Sequence, residues 1–413
     1  MPHLLAGVRV LESAQLLNGD TVGMFLGDLG ADVVKVEAPP MGDYLRYFLG
    51  QITPGNSIPH LQVNKNKRSV ALDLKSEAGR AALLRMAERS EIFVDGNRPG
   101  VLDRLGVGYE ALRARNPAIV FVRHTAYGSV GPYKDIPTHG MMMGALAGAH
   151  LVHEGDDGLM HKFTPEVDGT EMGGEATVTG AVHAALWAVA ALVKARVTGE
   201  GSFLDVSAAD AVVVSAYFPT LNQLNGPRVT DRSGTSQREG GEMTSAKYQF
   251  YATKDDKVLL FCCIEPKFWR NFCRAIDRPD LAEQGAQDGN TEVDWGTPEL
   301  RRELTAIIKT RTLAEWVTLA ADHDIAMGPA NQGVQEMAAD PGIQARELVL
   351  EDKHPVAGPY HVIASPTMVA GDPYSVRHHA PAPGEQSSEL LREYGFSDAE
   401  IEGLIASGTV RQA

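Results

Sequence analysis

Short apolar runs alternate with amphipathic stretches up to about residue 130 of the chain. Several runs alternate between apolar and polar positions or are rich in β-branched residues, which is typical of strands. These predicted strands are residues 8–11, 32–37, 69–74, 91–94 and 118–122. Helical spacing over 21–29 and 77–89 separates them, with Gly30 as the expected C-cap and Ser76 as the expected N-cap. This order predicts a doubly wound, parallel α/β sheet that binds ligands at the carboxyl ends of its strands.

A long helix is predicted over residues 176–196, where charge is nearly absent and small residues are frequent. We expect this helix to be buried on most sides. The polar, glycine-rich stretch 225–244 then predicts a linker into a second, smaller α+β domain. In that domain we expect a hairpin over 248–264 followed by helices, and a closing helix at 398–405.

Composition narrows the possible functions. Of 413 residues, 44% are hydrophobic and 22% are charged, as in ordinary globular proteins, and the length favours two domains. The formal net charge of −15 argues against bulk nucleic acid as a partner. Cys262, Cys263 and Cys273 form neither a disulfide framework nor a metal-ligand pattern, so we expect a cytoplasmic location and no metal. The apolar stretch 180–193 contains His183 and is too short to span a membrane, so no membrane partner is expected.

Seven blocks of the sequence stand in a recognisable order. They are LAGVRVLE (5–12), LGDLGADVVKVEAPPMGD (26–43), NKNKRSVALDLKSEAGR (64–80), RPGVLDRLGVGYEALRARNPAIVFV (98–122), TGEGSFLDVSAADA (198–211), IEPKFW (264–269) and GPANQGVQEMAADP (328–341). Together they resemble the family III CoA-transferases, the CaiB/BaiF superfamily, which includes formyl-CoA transferase, carnitine CoA-transferase and α-methylacyl-CoA racemase. In this order the blocks are specific for the superfamily but not for one reaction.

The resemblance implies an architecture and a reaction class. The expected large domain is Rossmann-like and built from both chain ends, residues 1–222 and 331–413, with a small domain and its linkers at 223–330. An obligate homodimer is implied, whose chains pass through each other like linked rings. The implied function is transfer of CoA between an acyl-CoA thioester and a carboxylic acid, with no permanently bound cofactor. An α-methylacyl-CoA racemase and a non-catalytic CoA-binding homologue stay open as alternatives.

The family chemistry implies a carboxylate nucleophile that lies just before the long buried helix and attacks the thioester. In the family this residue is an Asp that follows a glycine, whereas the stretch here reads PEVDGTEMGGEATVTG. Counting from the upstream landmarks leads to Asp168, and counting back from Thr198-Gly199 leads to Glu175. We expect Glu175 to be the nucleophile, because an insertion disturbs a loop less than a packed helix. Asp168 stays an alternative.

A third catalytic candidate comes from the racemase branch, which carries a His nine residues before a glycine. His139 stands at that spacing from Gly148. In that branch the His exchanges the α-proton of the substrate, and an ordinary loop histidine is the other interpretation here. Glu265 likewise matches an acidic residue of the racemase branch, or else caps the helix that starts at Pro266.

The resemblance also implies a set of CoA contacts at strand ends and in the loops beyond them, where cations and backbone donors bind phosphates. These residues are Leu72, Lys75, Asn97, Arg98, Arg104, His124 and Tyr127. The basic residues Lys65, Lys67 and Arg68 either join this set or simply solvate a surface. Only Gly240-Gly241 stands where formyl-CoA transferase has a glycine run that closes over oxalate, so we expect a bulkier acid as acceptor.

Overall fold

The computed structural model of the chain describes residues 3–162, 176–231, 238–239, 242–282 and 293–413. Internal contacts divide these residues into two compact units, which we call the sheet unit and the inserted unit. The sheet unit contains residues 3–162, 176–220 and 345–413, and the inserted unit contains the described residues between 221 and 344.

The described residues form strands that are mostly short. In chain order they are β1 (Arg9–Ser13), β2 (Asp32–Glu37), β3 (Gln51–Thr53), β4 (Asn56–Ser57), β5 (Lys67–Leu72), β6 (Ile92–Asp95), β7 (Val120–Thr125), β8 (Val152–Glu154), β9 (Met160–Lys162), β10 (Ser202–Ser207), β11 (Arg238–Glu239), β12 (Glu242–Met243), β13 (Gln249–Ala252), β14 (Val258–Phe261), β15 (Met327–Pro329), β16 (Val349–His354), β17 (Gly358–Ile363) and β18 (Val410–Arg411).

The helices vary more in length than the strands. In chain order they are α1 (Leu16–Asp28), α2 (Ile58–Val63), α3 (Glu77–Ala87), α4 (Val101–Arg104), α5 (Tyr109–Arg115), α6 (Met141–Leu146), α7 (Ala176–Thr198), α8 (Ala208–Ser215), α9 (Tyr217–Asn225), α10 (Pro266–Ala275), α11 (Pro279–Ala282), α12 (Pro298–Ile308), α13 (Leu313–His323), α14 (Val334–Ala339), α15 (Pro341–Ala345), α16 (Ser387–Glu393) and α17 (Asp398–Ala406). Two 3₁₀ turns lie at Tyr44–Tyr47 and Gly226–Arg228.

Seven strands form the central sheet of the sheet unit, in the order β10-β7-β6-β1-β2-β5-β18. The first six pair in parallel, whereas the edge strand β18 runs antiparallel and pairs Val410 with Leu72. The chain runs outward from β1 through β2 to β5, returns to the other side of β1 at β6, and continues to β7 and β10. The prediction of a large, mostly parallel α/β sheet is therefore confirmed, and its topological switch point lies between β1 and β6.

Helices cover both faces of the central sheet, as a parallel sheet requires. On one face, α1 and α7 pack on a layer that includes Val10, Val33 and Val122. On the other face, α3, α5, α16 and α17 pack on a layer that includes Leu11 and Phe93. With both faces buried, ligands reach this sheet along its strand ends.

The long helix α7 differs from the prediction of a helix buried on most sides. Ala181, Ala184 and Ala188 are fully buried against the sheet, whereas Leu186 and Trp187 are 62% and 58% exposed. Because the small side chains face the sheet, the larger apolar ones lie on the opposite face of the helix. Among the described helices, α7 has the length and hydropathy of a membrane span, and its packing on the sheet accounts for the apolar character of its buried face.

The inserted unit has its own core around an antiparallel sheet of β13, β14 and β15. The predicted hairpin is present, with Phe250 paired to Leu260. Trp269 from α10 and Trp316 from α13 are buried against this sheet. Glu265 is the N-cap residue of α10, but among the described residues its side chain makes no capping hydrogen bond.

Candidate active site

Three loops lie side by side at the carboxyl edge of the central sheet, next to the switch point. They follow β1, β6 and β7 and comprise residues 14–15, 96–100 and 126–140. The loop after β6 lies against the start of α1, since a Cβ on Gly96 would be 2.9 Å from Gly19 Cα. Glycine at both positions therefore allows a backbone-to-backbone approach at the place where open α/β sheets bind ligands.

Asn97, one of the predicted CoA contacts, connects the loops after β1 and β6. Its Nδ2 donates to Ser13 O (2.9 Å) and to Asp95 Oδ1 (3.1 Å). Its backbone N–H donates to the same carboxylate oxygen at 3.0 Å. Because both kinds of N–H of Asn97 are engaged, its amide oxygen is the atom placed to accept a hydrogen bond from a ligand.

Arg123, which the sequence did not single out, lies buried at the end of β7 below the loop after β6. Its Nε donates to Asp95 Oδ2 (3.0 Å), and its NH2 group donates to Asp103 Oδ2 (3.1 Å). Burial raises the pKa of the Asp95 carboxyl, while Asn97 and Arg123 act in the opposite direction. Arg123 thus anchors the loop after β6 to α4. In the sequence, the feature that could have indicated this role is Asp95, the carboxylate that ends the neighbouring strand β6.

His124, another predicted CoA contact, lies inside the fold at the end of β7. Its Nδ1 is 2.8 Å from Asn18 O in α1, and Asn18 Nδ2 donates to His124 O at 3.0 Å. Its other ring nitrogen, Nε2, faces the second turn of α7, where a Cβ on Gly180 would collide with it. Burial lowers the pKa of His124 to about 4, so the ring is neutral at pH 7.

Three polar atoms at this point are buried and have no hydrogen-bond partner among the described residues. They are Asn18 Oδ1, His124 Nε2 and Thr125 Oγ1. All three belong to the end of β7 or the first turn of α1. Buried polar atoms are nearly always paired, so unpaired ones at a strand end are typical of sites that bind or react. The N-terminus of α1, to which Asn18 belongs, carries partial positive charge and stabilises anions.

Four further predicted CoA contacts lie along the same edge of the sheet. Leu72 ends β5 and is buried, and Lys75 lies exposed in the loop that follows. Arg98 and Arg104 are exposed in the loop after β6 and at the end of α4. Since β5 lies three strand positions from β6, Lys75 and the two arginines lie on opposite sides of the switch point, with the two strands roughly 14 Å apart.

Tyr127 and His139 both lie next to the short helix α6. The Tyr127 hydroxyl donates to Met142 O at 3.2 Å. His139 is exposed, and its backbone N–H lies 3.5 Å from Met142 Sδ. The structure therefore brings the predicted CoA contact Tyr127 and the predicted catalytic His139 to one segment beside α6, whereas the His124 ring is buried.

The two candidates for the nucleophile, Asp168 and Glu175, lie outside the described residues, as do Gly240 and Gly241. Helix α7 is described from Ala176 onward, directly after Glu175. Glu175 and Asp168 stay predictions.

The basic residues Lys65, Lys67 and Arg68 bind carboxylates within the sheet unit. Both lysines are fully buried, so the interpretation that they solvate a surface is wrong for them. Their position next to the carboxylates explains how two cations are tolerated inside the fold. The carboxylate partners of the three residues are Asp28, Glu12 and Asp32, at 2.9, 2.8 and 2.7 Å respectively.

A surface cavity of about 480 Å³ lies at the opposite edge of the sheet, lined in part by Arg9, Arg89 and Asn116. It is formed at the amino ends of β1, β6 and β7, away from the unpaired polar atoms. Among the described residues no cluster of three His, Cys, Asp or Glu side chains is able to hold a metal ion. The carboxyl edge near β1, β6 and β7 is therefore the candidate active site.

Comparisons with known proteins identify relatives along the whole chain. The model of CoA-transferase family III matches residues 5–387. The formyl-CoA:oxalate CoA-transferase of Streptomyces avermitilis is 28% identical, covering 99% of this chain and 100% of its own. The succinyl-CoA:glutarate CoA-transferase of Homo sapiens is also 28% identical, covering 99% of this chain and 90% of its own.

Two solved structures are similar to this chain over most of its length. A CAIB/BAIF family protein from Brucella suis is 24% identical with a TM-score of 0.69, covering 94% of this chain and 99% of that one. Rv3272 from Mycobacterium tuberculosis is 26% identical with a TM-score of 0.70, covering 93% of this chain and 98% of that one.

Proposed function

The chain belongs to CoA-transferase family III and is a CoA-transferase, and on that premise we propose that it moves CoA from an acyl-CoA thioester to a carboxylic acid through a covalent enzyme–CoA thioester. The observation that supports this mechanism most is the group of buried, unpaired polar atoms at the end of β7 and the start of α1. Of these atoms, the Thr125 hydroxyl is able to donate to negative charge that develops in the reaction. Asn18 Oδ1 and His124 Nε2 are acceptors, which suits N–H and O–H groups of a bound substrate.

We propose Glu175 as the nucleophile, with Asp168 as the alternative. Its carboxylate attacks the thioester carbonyl, CoA leaves as the thiolate, and an acyl–enzyme anhydride remains. The thiolate then attacks the enzyme's own carbonyl, which releases the donor acid and leaves the enzyme–CoA thioester. The acceptor carboxylate attacks this thioester to form a second anhydride. The thiolate finally attacks the acceptor's carbonyl, which yields the new acyl-CoA and restores the enzyme carboxylate.

The predicted CoA contacts divide by the chemistry that their positions allow. Arg98 and Arg104 present exposed guanidinium groups beside the switch point, which suits phosphate binding. Lys75 presents an ammonium group on the other side of that point. Asn97 offers an amide oxygen as acceptor. His124 is neutral and buried, so it contributes no positive charge and would act through its unpaired Nε2.

The acceptor is proposed to be a carboxylic acid bulkier than oxalate. This follows from the short glycine pair Gly240-Gly241, which replaces the longer glycine run of formyl-CoA transferase. Because one relative is named for succinyl-CoA and glutarate, these two compounds are the first donor and acceptor to test.

The first test is thioester exchange. The protein is incubated with succinyl-CoA or acetyl-CoA and a panel of acids that includes oxalate and glutarate, and new acyl-CoA species are followed by mass spectrometry. We expect exchange with at least one acid larger than oxalate. Absence of exchange with every donor, together with retained CoA binding, would contradict the proposal and favour a non-catalytic CoA-binding protein. Deuterium wash-in at the α-carbon of a 2-methylacyl-CoA, lost in His139→Gln, would instead indicate a racemase.

The second measurement locates the nucleophile. Glu175→Gln keeps the side-chain shape but removes the attacking carboxylate, so turnover should fall by roughly 10³-fold or more while CoA affinity changes little. Asp168→Asn is the matched control and should lower turnover by about tenfold or less. Hydroxylamine trapping of the acyl-enzyme, followed by peptide mapping, should mark Glu175. The reverse pattern in the two variants would place the nucleophile at Asp168.

A further inference from the structure

Leu16 begins α1 in a backbone conformation that leucine rarely adopts. Its φ is +58°, in the left-handed region, where a bulky side chain is strained. The residue directly follows the loop after β1, whose Ala14 lies against the loop after β6: a Cβ on Gly96 would be 2.7 Å from Ala14 Cβ. Strained residues persist only where surrounding contacts hold them, and they are concentrated at ligand sites. The contacts that hold Leu16 in this conformation are therefore expected to shape the ligand site.

One of these contacts comes from Asp43, which lies beyond β2. Its two carboxylate oxygens accept the backbone N–H of Leu16 at 3.2 and 3.1 Å. One of them also accepts the N–H of Leu45 at 2.9 Å, and the Asp43 backbone N–H donates to Glu37 Oε1 at 2.9 Å. Asp43 is 1% exposed, so its carboxylate is held in one orientation by the surrounding protein.

Lys35 in β2 holds both Asp43 and the preceding part of the loop. Its Nζ lies 3.0 Å from Asp43 Oδ2 and donates to Ala14 O at 3.2 Å. The same ammonium also binds Asp20 of α1 and lies 3.6 Å from Glu12. Lys35 is fully buried, so these charges act without solvent screening. The Ala14 carbonyl and the Leu16 N–H are thus both hydrogen-bonded to the buried ion pair of Lys35 and Asp43.

The charge state of the pair is consistent with this function. Although burial alone would raise the pKa of Asp43, Lys35 and the hydrogen bonds to the carboxylate hold it well below its usual range. The carboxylate therefore stays ionised at neutral pH and remains the stronger hydrogen-bond acceptor for Leu16 N–H.

We propose that Asp43, with Lys35 behind it, is a positioning residue that holds the loop after β1 in the strained conformation in which it receives CoA beside the loop after β6. This inference rests on the proposed function, because it takes CoA as the ligand of that edge. It adds two residues that touch no substrate, and it assigns the strain at Leu16 to preorganisation of the binding loop.

The experiment compares Asp43→Asn with Asp28→Asn. Asp28 is a matched control because its carboxylate also binds a buried lysine, Lys65 at 2.9 Å, but at the far end of α1. Both variants should lose thermal stability. Only Asp43→Asn should weaken CoA binding in calorimetry by roughly tenfold, which corresponds to a lost hydrogen bond to a charged group. It should also speed amide hydrogen exchange at Leu16 and its neighbours, whereas Asp28→Asn leaves that exchange and the CoA affinity within twofold.

A second variant keeps the inference testable if Asp43→Asn does not fold. Glycine adopts positive φ without strain, so Leu16→Gly in the Asp43→Asn background should restore folded protein, slower exchange in the loop and part of the CoA affinity. Failure of this double variant to recover any of the three would overturn the inference, as would unchanged exchange at Leu16 in Asp43→Asn. If the wild-type protein binds no CoA, the proposed function fails, while the exchange measurement still decides whether Asp43 positions the loop.

Discussion

His124 is a neutral histidine because two helices remove its ring from water. Its Nδ1 lies 2.8 Å from the carbonyl oxygen of Asn18, and a carbonyl only accepts, so Nδ1 carries the proton. Its Nε2 is left with a lone pair that faces α7 and has no partner among the described residues. The sequence placed His124 at a strand end. It did not predict the burial, because Gly180, which makes room for the ring, lies far along the chain.

This burial makes stability depend on pH in a defined direction. The folded pKa of His124 is about 4, below its ordinary value of 6.5, so the unfolded chain binds more protons in that interval. The contribution of neutral His124 to the free energy of unfolding is therefore fully present above pH 6.5. It is lost as pH falls toward 4, by up to about 1.4 kcal/mol per pH unit. The free energy of unfolding, measured by urea denaturation at pH 5 and at pH 6, should rise with pH in the wild type. This slope should be about 1 kcal/mol per pH unit smaller in His124→Gln.

His361→Gln is the control for this measurement, because His361 is 69% exposed in its ion pair and its substitution should leave the slope unchanged. Comparing variants at the same pH values also cancels the contribution of other buried groups such as His60, whose pKa is lowered mainly by burial. A His124→Gln slope equal to that of the wild type would contradict the assignment of a buried, neutral ring.

At the level of elements, the sequence pattern predicted where the strands lie but not which residues their polar side chains bind. The alternation of DVVKVE indicated β2 correctly, and its Lys35 is fully buried. Helices cover both faces of a parallel sheet, so the polar side chains of its strands are buried together with their partners. Those partners, Asp20 and Asp43, belong to α1 and to the segment after β2, and no local periodicity connects them. The short elements β3, β4 and α2 were not predicted, because runs of two to six residues carry little periodic signal.

The buried pair that joins β5 to β1 should be essential for stability. Lys67 Nζ lies 2.8 Å from Glu12 Oε1 and also donates to Asp20 O (2.7 Å). Lys67→Met keeps the length of the side chain but leaves Glu12 without its closest cation, so unfolding free energy should fall by roughly 3–5 kcal/mol. Lys309→Met removes an ion pair with Asp256 that is exposed, and should cost about 1 kcal/mol or less. Equal losses in the two variants, measured by urea denaturation, would contradict the strong contribution of the buried pair.

For the whole molecule, the sequence predicted the large, mostly parallel sheet, and the place of the site stays a prediction. The β-α-β pattern predicted a parallel sheet, and the switch point at its carboxyl edge contains Asn97 and the loops around it. The C-terminal segment could not be placed from local pattern, because β18 joins the sheet through antiparallel pairing of two residues at the edge of β5. Contacts between distant segments, which also bury Arg123 and His124, depend on the assembled fold and not on any short stretch of sequence.

The exposed face of α7 carries the last prediction, which concerns assembly. Leu186, Trp187, Val193 and Val197 are between 58% and 82% exposed in the single chain, and a helix face with so many large apolar side chains is typical of a protein–protein interface. We propose that a second copy covers this face in a dimer whose chains are linked. An ordinary dimer dissociates on dilution below its dissociation constant, whereas linked chains cannot separate without unfolding. Sedimentation at nanomolar concentration should therefore show the dimer intact, and differently tagged dimers should not exchange subunits under native conditions. Rapid exchange, or a monomer at every concentration, would show that the chains are not linked.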